Sequence, residues 1–245
     1  MKQQRVIDAL SRIGGITDIT VHPIIGMTNP WHYRNKAQYP FGKSNGRIIA
    51  GCYEKGTHRV VETPDCRIQH PMNNLVVEGI RRLAEEFGLS VYDEETHKGL
   101  LRHVLLRRAF GTGEISVALV TNDSHFPRGK EFARRLADEF PGIRSIVQNI
   151  NPTHGNKVLG DDNIVLWGED GITDILGNLE FGISPTAFYQ VNPVQTLVLY
   201  EQAVEYAGLT GKEKALDVYC GVGTLTLFLT RQALEVYGIE ANKNA

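Results

Sequence analysis

The chain has 245 residues, with 26 Lys plus Arg against 28 Asp plus Glu and a formal net charge of -2, so it lacks the global positive field of a strongly basic nucleic-acid binder. Hydrophobic residues at 42% and charged residues at 22% argue against the disordered and membrane-spanning classes, and three cysteines, Cys52, Cys66 and Cys220, do not suit a disulfide framework. The opening MKQQRVIDALSRIGG has no apolar secretory core, so the expected compartment is cytoplasmic, and the length leads us to expect two domains.

Val6, Leu10 and Ile13 recur at helical spacing before Gly14 and Gly15, which predicts a short amphipathic helix. It begins without a capping Ser, Thr, Asp or Asn, and a natural chain continuing upstream is therefore expected. From Ile16 to about Arg67, β-prone runs alternate with Gly, Pro and Asn, as in GRIIAGCYEKGTHRVVE, and predict hairpins. Asn73 is the expected cap of a helix through Leu75, Gly79, Leu83 and Phe87 to Gly88. LLRHVLLRRAF and EISVALVTN read as two strands joined by the glycine-rich GTG, followed by a helix over GKEFARRLADEF and a strand over SIVQNIN. The paired arginines Arg81-Arg82, Arg107-Arg108 and Arg134-Arg135 read as solvated faces.

The signals then change. PVQTLVLYEQAVEYAGL predicts a helix with Pro193 in its first turn and Gly208 near its end, ALDVYCGVGTLTLFLTRQA predicts strand, glycine loop and helix, and EVYGIE predicts a second strand. The expected class is thus α/β: an α+β domain over residues 1–180, with strands paired mainly by hairpins, followed over 181–245 by the beginning of a Rossmann-like domain. A doubly wound sheet needs more chain than this second part contains, and ANKNA departs from the helix expected after Glu240, so truncation is expected.

The glycine loop carries the sharpest chemical signal. Gly221 and Gly223 permit a tight turn and close backbone approach to a ligand, and Glu240 at a strand end is placed to accept hydrogen bonds from a ribose diol. Thr226 stands where a dinucleotide fingerprint has its third glycine, which weakens a nicotinamide reading and suits a nucleoside cofactor without pyrophosphate. Taken alone, a G-x-G pair is often only a turn. Cys220 beside it reads as a small packed hydrophobe.

Together with Ser184-Pro185-Thr186-Ala187-Phe188-Tyr189-Gln190-Val191-Asn192-Pro193, the run DVYCGVGTLT resembles the RNA 5-methyluridine (uracil-C5) methyltransferase family, closest to its 23S ribosomal RNA members. Trp31 to Gln38, WHYRNKAQ, is similar to the family's Y-R-N-K segment, and Ser145 to Asn151 to a strand of its central domain. The resemblance implies an S-adenosylmethionine-dependent enzyme with the cofactor held by Gln190, Asp217, Tyr219, Gly221, Gly223 and Glu240. It makes Arg34, Asn35, Lys36 and Gln38 candidates for contacting RNA, where the bland account is a hairpin with exposed cations. In the family a cysteine thiolate adds to uracil C6, the resulting enolate takes the methyl group at C5, a carboxylate removes the C5 proton and the thiolate leaves. Neither that nucleophile nor that base has a counterpart here, so catalytic residues are expected outside this chain.

Cys66, in TPDCRIQH, resembles the segment bearing the last of four cysteines that hold a [4Fe-4S] cluster in many family members; the other three are expected outside this chain. Cys52, His58, Cys66 and His70 form a rival zinc set of allowable types but unmatched spacing. Transfer RNA in place of 23S ribosomal RNA, a catalytically silent RNA-binding module, and a small-molecule methyltransferase stay open as alternatives.

Overall fold

The structure, a computed structural model, describes residues 1–241 of the chain. The segment after Glu240, for which a departure from a helix is expected, lies outside the described residues beyond Ala241. Two compact units divide at Pro30.

In the first unit, α1 (Lys2–Asp8) continues into a π-helical turn over Ala9–Ile13, closed by the Gly14 N–H donating to the Ala9 carbonyl at 3.0 Å. No residue of this helix is buried, and Ile13 is 88% exposed, so the apolar stripe exists but is not covered. Residues 16–35 form no hairpin, against expectation. Pro23 and Pro30 remove ladder donors there, and the strands begin only at Lys36.

The second unit is built on a seven-stranded sheet: β1 (Lys36–Ser44), β2 (Arg47–Tyr53), β3 (Val60–Glu62), β4 (Leu101–Arg108), β5 (Ile115–Thr121), β6 (Ile143–Ile150) and β7 (Asp162–Gly168), in the order β3-β2-β1-β4-β5-β6-β7. Asn45 and Gly46 join β1 to β2 with φ of 50° and 77°, the left-handed pair that a two-residue hairpin turn requires. All pairings are antiparallel except β5 with β6, which run parallel across α3 (Gly129–Glu139). Hairpins alone therefore do not describe this sheet. Both strands are buried along nearly their whole length, as strands covered on two faces must be.

α2 (Pro71–Glu86) is capped by His70, not Asn73: the His70 ring Nδ1 accepts from the Met72 N–H at 3.1 Å, with Pro71 in the first turn. Asn73 is fully buried and donates from Nδ2 to Gln69 Oε1. Helices α2 and α3 cover one face of the sheet, where Ala37, Tyr39, Phe41, Val104, Leu106, Val117, Leu119 and Ile146 form the main core. Strand alternation puts Lys36, Gln38 and Pro40 of β1, and His103, Leu105 and Arg107 of β4, on the opposite face.

β8 (Ile172–Leu176) and β9 (Leu179–Ile183) form a separate hairpin, followed by α4 (Pro193–Ala207), β10 (Lys214–Val218), α5 (Thr224–Leu229) and β11 (Glu235–Ile239). β10 and β11 are parallel, completing the expected strand-helix-strand unit. A second core joins Ile172, Phe181, Ile183, Tyr189, Tyr200, Val204 and Phe228, so the hairpin that begins upstream of Phe181 packs with the helices downstream of it. No helix among the described residues is long and apolar enough to cross a membrane.

Candidate cofactor site

β10 ends in a chain reversal that only unusual backbone can make. Tyr219, Gly221 and Gly223 have φ of 66°, 56° and 78°. The N–H groups of Tyr219 and Cys220 both donate to the Ile239 carbonyl, at 2.8 and 3.0 Å, so the reversal is tied to the end of the neighbouring strand. A left-handed conformation suits glycine and strains a tyrosine, yet the Tyr219 side chain is 84% exposed and repays nothing by packing. Glu240 Oε2 accepts from the Gly221 N–H at 3.0 Å, and Asp217 Oδ2 accepts from Thr226 Oγ1 at 2.7 Å. Thr226, at the position of the missing third glycine, thus fixes α5 to the end of β10. Gly238 leaves room for a neighbour: a Cβ there would sit 2.8 Å from Cys220 Sγ. Cys220 is packed in this way and partly buried.

A cavity of about 290 Å³ opens on this loop, with Gln190, Asp217, Tyr219 and Gly221 in its lining and Phe188 and Tyr200 across from them. Gly223 stands just behind, as the residue preceding α5. Four of the six expected cofactor residues therefore line one recess, and Glu240 is bonded to its glycine floor.

The loop carrying Gln190 is held from below. Asn35 donates from Nδ2 to the Gln190 carbonyl and from its backbone N–H to the Val191 carbonyl, both at 2.9 Å, and accepts from the Arg108 N–H at 2.8 Å. Arg107 donates from Nη2 to the Ala187 carbonyl at 2.7 Å. Around it lies a buried polar cluster: Arg107 Nε and Nη1, Asp174 Oδ2 and the Tyr189 hydroxyl have no hydrogen-bond partner within normal geometry. Burial pushes the Arg107 guanidinium down to about 10, opposed by Tyr189 and Asp174, and it stays charged at neutral pH. Burial also pushes the Asp174 carboxyl up, against hydrogen bonds from the Gly111 and Ile175 N–H groups. Lys36, paired opposite Arg107 in the ladder, is pushed down by burial and by the Arg107 and Arg34 charges.

Of the expected RNA-facing residues, Gln38 is exposed and Arg34 and Lys36 are half-buried, with Arg34 Nε donating to the Lys36 carbonyl. Asn35 is 0% exposed and leaves that patch, because alternate residues of an extended segment point to opposite sides. Arg107 is a second correction: it is 1% exposed, not solvated, since it lies within a strand buried along its length. Arg81 likewise is 8% exposed and paired with Glu78 and Glu85. The continuous apolar run around Arg107 was the signal that could have found it.

Cys66 is partly buried beside the Tyr39 hydroxyl. Among the described residues no group of three or more His, Cys, Asp or Glu could hold a metal, so Cys52, His58, Cys66 and His70 form no zinc site. Cys66 alone supplies one of the four sulfur ligands that a four-cysteine cluster needs.

No protein-family model matches the chain. It is 50% identical over 239 residues to an uncharacterized RNA methyltransferase of Halalkalibacterium halodurans, covering 98% of this chain and 52% of that protein. With an uncharacterized RNA methyltransferase of Clostridium tetani it shares 46% over 239 residues, again 98% of this chain and 52% of the relative. The chain thus spans about half the length of the curated relatives it matches. Among solved structures, the Pyrococcus abyssi tRNA (uracil-54, C5)-methyltransferase in complex with S-adenosyl-L-homocysteine aligns with a TM-score of 0.78 at 24% identity, over 99% of this chain and 56% of that one. Over nearly its whole length, then, the chain is homologous to about half of each of these bacterial RNA methyltransferases, and it has the fold of the corresponding part of a tRNA (uracil-54, C5)-methyltransferase.

Proposed function

We propose that the chain forms the cofactor-binding part of an S-adenosylmethionine-dependent RNA methyltransferase acting on uracil C5, with 23S ribosomal RNA as the leading substrate and transfer RNA as the alternative. The observation that carries this reading is the recess that gathers Gln190, Asp217, Tyr219 and Gly221 against the Glu240 carboxylate. The residues present fit a nucleoside: a carboxylate to accept from a ribose diol, a glycine backbone that lets it approach, and the exposed rings of Phe188 and Tyr219, 70% and 84% accessible, to flank a planar base. When bound, S-adenosylmethionine supplies an electrophilic methyl group.

The chain's own residues bind and orient. Asn35 and Arg107 bond the Gln190 and Ala187 carbonyls, so the backbone that presents the Gln190 amide is tied to the residues beneath it. Lys36 and Arg34 supply positive charge on the strand next to that loop, where a phosphate of the RNA would be neutralised. None of the three cysteines is assigned as the thiolate that adds to uracil C6; that nucleophile is expected from the rest of a full-length protein.

The test is calorimetric titration of S-adenosylmethionine into the chain, paired with transfer of labelled methyl to 23S ribosomal RNA and to transfer RNA by the full-length natural protein. Glu240→Gln removes the carboxylate from a charge-assisted hydrogen bond and should weaken cofactor binding about tenfold. Absence of binding by both proteins would favour a silent RNA-binding module, and label on transfer RNA alone would replace the leading substrate.

A further inference from the structure

The face of the sheet opposite α2 and α3 carries a second recess that the cofactor reading leaves unused. One cavity of about 630 Å³ at the end of β1 and β4 and an adjoining one of about 420 Å³ on the face itself share Tyr53, His58 and Glu94 in their walls. Arg102 closes the first and His103 the second. The His58 and His103 rings stand edge-on to the Tyr53 ring, with centroids 5.5 and 6.1 Å away. The Tyr53 hydroxyl lies 3.3 Å from His103 Nε2.

Two buried side chains here keep polar atoms without a protein partner. His103 is 5% exposed and its Nδ1 is unbonded; Arg102 is 2% exposed and its Nε is unbonded. Burial, reinforced by the Arg102 charge, pushes His103 down to about 4, so it is a neutral imidazole at pH 7. Arg102 is fixed in place by donating from Nη1 to the Asn151 and Thr153 carbonyls, both at 2.7 Å, with its guanidinium 4.2 Å from the Tyr92 ring centroid. Glu94 lies 3.9 Å from Arg102 Nη2, too far for a close ion pair, so its carboxylate keeps acceptor capacity toward the recess.

We propose that this recess binds an unpaired nucleobase bearing an exocyclic amino group, contributed by the RNA near its target uridine. This rests on the RNA methyltransferase reading above. Tyr53 offers an aromatic surface for stacking, which any base can use. The acceptor-only Glu94 carboxylate, in the walls of both cavities, demands a donor on the base edge. Adenine, cytosine and guanine offer an amino donor, whereas uracil offers only its N3–H between two carbonyl oxygens that a carboxylate repels, so the site favours an amino-bearing base over the base that is methylated. Placement agrees: β1 runs from Lys36, opposite Arg107 beneath the Gln190 loop, to Pro40, opposite His103. Those four steps span roughly 13 Å at about 3.3 Å per residue, a short reach along the same strand of RNA. Gln38, exposed between the two ends, lines the recess as well.

The experiment is fluorescence anisotropy of labelled hexauridine and of the same oligonucleotide with one central adenosine, cytidine or guanosine, titrated with the chain. The expected result is roughly tenfold tighter binding of the amino-bearing oligomers, lost in Tyr53→Ala. Glu94→Gln, which keeps size and adds a donor, should erase most of the preference over hexauridine while leaving the far-ultraviolet spectrum unchanged. Equal binding of all four oligomers, or a preference untouched by both substitutions, overturns the proposal. Methyl transfer separates it from the reading it rests on. A full-length protein that methylates RNA with an RNA KM unmoved by Glu94→Gln sinks the recess alone, and a Glu94-dependent base preference without any methyl transfer sinks the enzyme reading alone.

Discussion

The central sheet and the strand-helix-strand tip reach definite geometry by different means. In the sheet, β4 and β5 are buried almost from end to end, and even their polar members Arg102, His103, Arg107 and Ser116 are taken inside. In the tip, β10 and β11 leave Leu216, Val218, Tyr237 and Ile239 about half exposed, in register opposite one another. Burial specifies the first region. Within this chain, which spans about half of its relatives' length, the second is held by local backbone: three left-handed residues, two N–H groups on one carbonyl, and the Glu240 and Thr226 side-chain bonds. Substitutions in the sheet should therefore be read out as stability, and substitutions in the tip as binding.

Arg107 gives the largest expected effect. Arg107→Ala leaves the Ala187 carbonyl and the Asp174 carboxylate buried without their cation, a loss on the order of 3 kcal/mol in urea unfolding. Cofactor binding should fall with it, since the Gln190 loop loses an anchor. Unchanged unfolding would mean that the polar cluster is not held by burial and would break the comparison. His103 comes next, through pH. Its folded-state value, about 4, lies below its ordinary 6.5, so the unfolded chain binds the extra proton first and stability is lost as pH falls from about 6.5 through 4. The full difference is about 3 kcal/mol, and His103→Asn should flatten that part of the stability profile.

Much of this was legible in the sequence. The helix from Pro193 to Gly208, the strand–glycine–helix run and the β4–β5 hairpin follow from caps, glycines and apolar runs that act locally. The parallel β5–β6 pairing was not legible, because a continuous apolar strand carries no mark of its partner's direction. Among site residues, Gln190, Asp217, Tyr219 and Gly221 meet as expected, since three of them sit within one turn. Asn35 and Arg107 are buried where polarity suggests exposure, and for one reason: only the packed fold shows that a carbonyl-rich loop needs donors beneath it.

Asn35 sits where the two regions meet, on β1's entry and under the Gln190 loop. Asn35→Ala removes a buried donor and leaves the Gln190 carbonyl unsatisfied, so a stability loss of about 1–3 kcal/mol is expected. If Asn35 positions the loop, S-adenosylmethionine affinity should fall by more than RNA affinity. A larger fall in RNA affinity would return Asn35 to the RNA-facing role its neighbours suggest.

The smallest effect is also the cleanest separation of the two regions. Tyr219 holds φ at 66°, a conformation that glycine adopts freely and tyrosine does not, and its exposed ring gains little from packing. Tyr219→Gly should therefore leave stability unchanged or raise it by up to about 1 kcal/mol, the strain relieved being offset in part by the greater freedom of the unfolded glycine. The same substitution removes an aromatic wall from the recess and should weaken S-adenosylmethionine binding severalfold, whereas Tyr219→Phe should retain it. Opposite signs in unfolding and titration would show that this tyrosine is kept in a strained position for its ligand. A loss of both together would mean that its ring supports the fold, and the tip would then be specified by burial after all.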